Sequence, residues 1–291
     1  MKEKLEYLTI KFFLWAASWL PKSVIYFLTK VLSIFFYFFM QKRRLLTQNN
    51  LKKAFPSLTE KEIYKYSKEI YLNISETVAE ILLIFVDRFD IDDAIINLDE
   101  AIDKLSKCKS KNGTIFIAAH FSNWELMAHF LAKHGFRTLV VGRKGDNKLI
   151  DANITIPFRN KFGNKSVHKS KAMIAMAKTL KKGGSVGMLI DQKTGGTHAS
   201  LIEFFGSKAK TTLSAASLKL KFDSLVIPIS VVRESRGKYH MYIDDAIEYK
   251  AEDITDEREK LEAMTLRYNQ AIEKIILRSI PEWFWMHDRW K

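Results

Sequence analysis

The chain carries one cysteine in 291 residues, Cys108, so no disulfide forms within it and no cysteine cage holds a metal. Such sparing use of thiols fits a reducing compartment. His129, His134, His168 and His198 show no H-E-x-x-H or Cys/His spacing, which leaves no metal motif. Neither a G-x-x-x-x-G-K-[ST] loop nor a G-x-G-x-x-G turn follows a candidate strand, so no cofactor is expected. Ser122 lies in His-Phe-Ser-Asn rather than in G-x-S-x-G, which removes the usual serine nucleophile. Proline (5) and glycine (12) are scarce and form no linker, and no repeat is present. The division this predicts is an N-terminal membrane-attachment region over 1–45 followed by one catalytic domain over 46–291.

Two further absences concern apolar runs and acids. Phe12 to Leu20 and Val31 to Met40 are dense in aromatics, but Lys11, Lys22 and Lys30 break them below the roughly 18 uninterrupted apolar residues of a clear span. A helix pair lying in the lipid interface and a span over 24–40 with Lys30 facing protein both remain open. A secretory signal is not expected, because the apolar region is too long and no small-residue cleavage site follows. Lys42, Arg43 and Arg44 then place the following domain on the cytoplasmic face, unless they cap a core helix. Between Asp151 and Asp191 the chain has no acid, while Arg159, Lys161, Lys165, Lys169, Lys171, Lys178, Lys181 and Lys182 all fall there. With a formal charge of +14, this segment is expected to face an anion: an acidic protein, a phosphorylated substrate or an anionic membrane. The aromatic start favours lipid over nucleic acid.

What is present reads as alternating strands and helices. Ser57 with Glu60 and Thr59 with Glu62 are overlapping capping boxes. The apolar spacing Ile63, Tyr66, Ile70, Ile74, Val78 and Ile81 predicts the long amphipathic helix behind them. Strands are predicted over 114–119, 138–142, 185–190, 225–232 and 239–243, and helices over 124–134, 148–162 and 169–182, with a last helix through Leu261 to Ile275 ended by Pro281. The fold class is therefore α/β, a sandwich with a mostly parallel or mixed central sheet flanked by helices, plus N-terminal membrane-attachment helices. Its site belongs at the strand ends.

One strand end carries chemistry. His120 and Glu125 lie in His-Phe-Ser-Asn-Trp-Glu, between the strand at 114 and the helix at 124. Five apart on one helix they would not meet, but across a strand-to-helix turn the carboxylate can fold back on the imidazole. A carboxylate on one ring nitrogen fixes the tautomer and leaves the other as a general base for an alcohol attacking an acyl group. The plainer alternative is a cap histidine beside an ordinary helix-start acid.

The run His120 to Glu125 resembles the H-x4-D/E signature of the lysophospholipid acyltransferase superfamily, and its flanks resemble the lipid A late acyltransferases. Arg143, Asn147 and Asp151 match an R-x3-N-x3-D block, followed by Arg159 ahead of Phe162-Gly163. Asp191-Gln192 leads to Gly195-Gly196, Phe204-Phe205-Gly206 runs into Thr211-Thr212, and Trp285 to Lys291 resembles a W-x-H-x-R-W-K ending. Lys148 replaces a usual proline and Asp288 a frequent arginine. The resemblance implies transfer of a fatty acyl group from acyl carrier protein to a hydroxyl of a phosphorylated lipid A precursor, with His120 and Glu125 as the catalytic pair. It implies substrate contacts from Arg143, Asn147, Asp151, Arg159, Asp191 and Gln192, though Asn147 equally suits a helix cap and Asp191-Gln192 a plain turn. Arg159 is expected to grip phosphate or an oxyanion with two donors. Alternatives are a lysophospholipid or phosphatidylinositol mannoside acceptor, or a non-catalytic basic membrane-binding protein.

Overall fold

A computed structural model describes residues 2–142, 145–168 and 171–291. The helices α1 (Lys2–Trp19), α2 (Lys22–Phe39), α3 (Gln41–Ala54) and α4 (Glu60–Phe85) open the chain. Of the two capping boxes the structure uses the second: Glu62 N–H donates to Thr59 Oγ1 (3.3 Å) and Thr59 N–H to Glu62 Oε2 (2.8 Å). Two of the donors left open at the helix start are thereby satisfied. α2 lies along α4, where Ser33 Oγ donates to Tyr71 O (2.5 Å) and Tyr37 shares a bond with Ser67 (3.2 Å). The opposite side of α2 is exposed, with Phe27, Val31, Leu32, Phe35, Phe38 and Phe39, and Lys30 is exposed rather than facing protein. By length and composition α2 is apolar enough to cross a membrane. Two of the three basic residues after it have protein partners: Arg44 donates to Tyr37 O (3.1 Å) in the last turn of α2, and Arg43 to Met286 O (3.1 Å).

After α5 (Leu98–Ser106) come β1 (Thr114–Ala118), α6 (Trp124–Lys133) and β2 (Thr138–Gly142). Next is a helical stretch made of α7 (Lys148–Ile150), a π turn (Asp151–Thr155) and α8 (Ile156–Arg159). One helix over 148–162 was the expectation, and Pro157 explains the difference. It has no N–H for the carbonyl one turn back, and the wider π turn takes up the break. Then follow β3 (Lys165–His168), α9 (Ala172–Leu180), β4 (Ser185–Leu189), β5 (Ala199–Phe204), β6 (Ser207–Thr212), α10 (Ser214–Phe222), β7 (Leu225–Ser235), β8 (Lys238–Ile243) and α11 (Glu257–Leu277).

The main sheet runs β3-β2-β4-β1-β7-β8, parallel except for β8, which pairs antiparallel with β7. β5 and β6 form a separate hairpin. Successive side chains of β1 point to opposite faces. Ile115 and Ile117 pack with Met176, Met264 and Ile272, while Phe116 and Ala118 pack with Leu126, Phe130 and Ile227. Both faces being covered, the central strands read as continuous apolar runs. β3 escaped the sequence pattern because it is an edge strand whose ends, Lys165 and His168, are exposed.

Candidate active site

β1 and β4 are neighbours in register, Ala118 opposite Leu189, so their carboxyl ends deliver His120 and Asp191 side by side. Asp191 Oδ1 accepts from His120 Nδ1 at 2.9 Å. Its Oδ2 accepts from the His120 backbone N–H (3.0 Å) and from Trp283 Nε1 (2.8 Å). Burial alone would push the Asp191 carboxyl up, but the charge of His120 and these donors hold it below its usual range. Burial likewise opposes charge on His120, yet the Asp191 charge and bond, with Glu125 adding, raise the imidazole above its ordinary value. A proton held on Nδ1 by Asp191 leaves Nε2 as the acceptor.

The carboxylate on the imidazole is therefore Asp191 and not Glu125, which corrects the expected pairing. Glu125 stands in the first turn of α6, where its Oε1 accepts from Arg159 Nε (3.1 Å) and NH2 (2.9 Å). The helix geometry gives the reason. Asn123 caps α6 by accepting from Leu126 N–H (3.0 Å), which starts the helix before the carboxylate can turn back to the ring. Arg159, at the end of α8, passes close to Gly142 on its way to the carboxylate; a Cβ there would lie 3.2 Å from NH1. Arg159 thus turns two of its donors to one oxygen of Glu125, a partner that was not expected for it.

The remaining expected residues divide. Asn147 is the N-cap of α7, with Oδ1 accepting from Leu149 (3.0 Å) and Ile150 (3.2 Å), and its amide is bonded to α1. Asp151 opens the π turn one turn after the Asn147 cap, and its side chain lies close to Gly145. Arg143 lies outside the described residues. Gln192 sits half-buried in the bend after β4.

Sequence reasoning missed the support beneath the motif. Ser122 adopts a left-handed φ of 52°, a strained conformation for a side chain with a Cβ. It is held there by Ser122 N–H on Glu282 O (2.8 Å), while Phe284 N–H donates to His120 O (2.9 Å). The end of the chain thus clamps the motif, as Phe121 also bridges to Trp283. Asn123 Nδ2 donates to Glu80 Oε2 (3.0 Å), and the fully buried Glu80 further receives Arg233, Tyr239 and the Gly237 N–H (3.1 Å). An acid at a core position of α4, in line with Thr77 and Ile84, was the available signal.

Trp124, edge-on to the His120 ring at 5.3 Å, also lines a cavity of about 180 Å³ that Ser122 borders and His120 does not. Ile74, Val78, Ile81, Trp124 and Phe284 line it, and Arg233 and Glu282 reach its wall. Among the described residues no group of three or more His, Cys, Asp or Glu is arranged to hold a metal.

A carboxylate-oriented imidazole at the carboxyl ends of parallel strands has the form of an α/β enzyme site that works by proton transfer. The chain belongs to the bacterial lipid A biosynthesis acyltransferase family, whose model matches residues 2–291. It is similar to a lipid A biosynthesis acyltransferase of Haemophilus influenzae, at 26% identity over 86% of this chain and 78% of that protein. It is also similar to two Escherichia coli proteins. These are a lipid A biosynthesis lauroyltransferase (26%, covering 96% and 89%) and a palmitoleoyltransferase (23%, covering 96% and 88%). The protein is an enzyme that transfers acyl groups.

Proposed function

We propose that this enzyme moves a fatty acyl group from the thioester of acyl carrier protein to a hydroxyl of a phosphorylated lipid A precursor, at the cytoplasmic face of the inner membrane. The observation that carries the chemistry is the His120–Asp191 bond, which leaves Nε2 as the proton acceptor, with Trp124 touching both the ring and an apolar cavity. His120 Nε2 takes the proton of the acceptor hydroxyl as its oxygen attacks the thioester carbonyl. Collapse of the tetrahedral adduct forms the ester C–O bond and breaks C–S, and the leaving thiolate takes the proton back from the imidazolium. No acyl-enzyme is needed.

Glu125 acts on His120 by charge, favouring the imidazolium. Arg159, tied by Nε and NH2 to Glu125, keeps further N–H donors for a phosphate or the oxyanion, and Asp151 and Gln192 remain candidates for acceptor contacts. The cavity suits part of the acyl chain. Residues 1–45 serve as the membrane attachment. The exposed aromatic side of α2, with Lys30 on the outside, favours a helix pair lying in the interface over a span.

The test is transfer by purified protein from acyl carrier protein thioesters to a phosphorylated lipid A precursor, read by mass spectrometry. His120→Ala is expected to lose about 100- to 10,000-fold in rate. Near wild-type transfer by that variant, or wild-type transfer only to a lysophospholipid, would sink the assignment of base or acceptor respectively.

A further inference from the structure

Asn147 joins two parts of the molecule. Its Oδ1 caps the helical stretch that begins at Lys148, while its Nδ2 donates to Glu3 O (2.8 Å) and Glu6 Oε2 (2.8 Å) on α1. From that cap the chain runs through α7, the π turn and α8 without a loop, and ends at Arg159 on Glu125. Elsewhere α1 exposes Leu5, Leu8, Phe12, Phe13 and Trp15, and only Leu14 and Ala17 of its side chains are buried.

We propose that Asn147 is a positioning residue that passes the seating of α1 on a lipid surface to the Arg159–Glu125 pair beside His120. The proposal rests on the reading of residues 1–45 as a membrane attachment. Arg88 holds the end of α1 through Ala17 O and Leu20 O (2.7 Å each), but ahead of Leu14 the helix buries no side chain, so protein packing holds that part weakly, whereas an interface burying its aromatic side would fix it. The first part of the stretch depends on such an anchor, because α7 and the π turn bury no side chain and the π turn breaks the α-helical ladder ahead of Phe158, which is stacked on Phe85 at 5.6 Å. Fixing the cap end against a seated α1 narrows the range over which Arg159 moves. Glu125 is then held where its charge reaches the imidazole.

The discriminating variant is Asn147→Asp. Aspartate keeps the cap oxygen, so the helical stretch retains its start, but it has no amide to offer α1 and sets a carboxylate against Glu6. Wild-type protein bound to vesicles of phosphatidylethanolamine and phosphatidylglycerol is expected to show slower amide exchange over 149–159 than free protein. Asn147→Asp should sediment equally with the vesicles, show no such slowing, and lose about tenfold in turnover for two hydrogen bonds, with its unfolding midpoint and donor KM unchanged. Adding Glu6→Lys, which places an ammonium opposite the new carboxylate, should restore both readouts. Vesicle-bound wild type with unchanged exchange over 149–159, an Asn147→Asp enzyme of full turnover, or absence of rescue would each overturn the coupling. Wild type that fails to sediment with vesicles would instead remove the membrane reading on which it stands.

Discussion

Asp191 receives three N–H donors and so fixes ring, backbone and tautomer of His120 at once. Its removal has a signed consequence. Because the imidazole is raised above its ordinary value, the neutral base is lost as pH falls through that raised value, and the acid limb of turnover lies above the pH of free histidine. Asp191→Asn should lower turnover by about 100-fold or more and move the remaining acid limb to lower pH, as a pH profile of kcat would record. An unchanged limb would mean that another group titrates. The sequence made His120 legible, because a histidine at a strand end beside a helix start is unusual. The partner of His120 was not legible. Glu125 is close in the chain, whereas Asp191 is brought in by β1–β4 pairing, and spacing along a chain does not report strand adjacency.

At the scale of elements, α4 supports the motif loop through Glu80. Arg233 faces this carboxylate and also donates to Thr77 (2.9 Å), with its guanidinium stacked over Tyr239 at 4.7 Å. Arg233→Met would leave Glu80 buried without its cation, which costs about 3–5 kcal/mol in comparable buried pairs. Chemical denaturation should show a loss of that size, and a loss below about 1 kcal/mol would mean that Tyr239, Asn123 and Gly237 suffice. The same helix shapes the cavity. Ile74→Phe narrows it, and products should shift to shorter acyl chains by mass spectrometry while transfer persists; an unchanged distribution would place the chain elsewhere. Strand and helix periodicity marked the elements of the main sheet well, since its central strands are apolar throughout. The π turn was invisible to an apolar pattern, because Pro157 changes the hydrogen-bond ladder and leaves the hydrophobic spacing intact.

Across the whole molecule, charge was legible as a sum but not as a surface. Lys181 and Lys182 lie in the turn before β4, at the opposite end of that strand from Asp191. Lys161 is bound to Ile84 O (2.7 Å) and Asp87 (2.5 Å) at the end of α4. The acid-free run from 152 to 190 is thus distributed over both ends of the sheet. The clamp formed by the final residues has a different consequence, one for the order of events in folding. Trp283 meets Asp191 across 92 residues, and Asn50 donates to Trp285 O and His287 O across 235 and 237. Contacts of such separation close large loops and carry their entropy cost before any local gain returns it. Refolding from denaturant should therefore recover helical circular dichroism first, and acyl transfer only in a slower phase that coincides with the quenching or shift of Trp283 fluorescence. Activity that returned together with the helical signal would show that the clamp closes early, with the sheet.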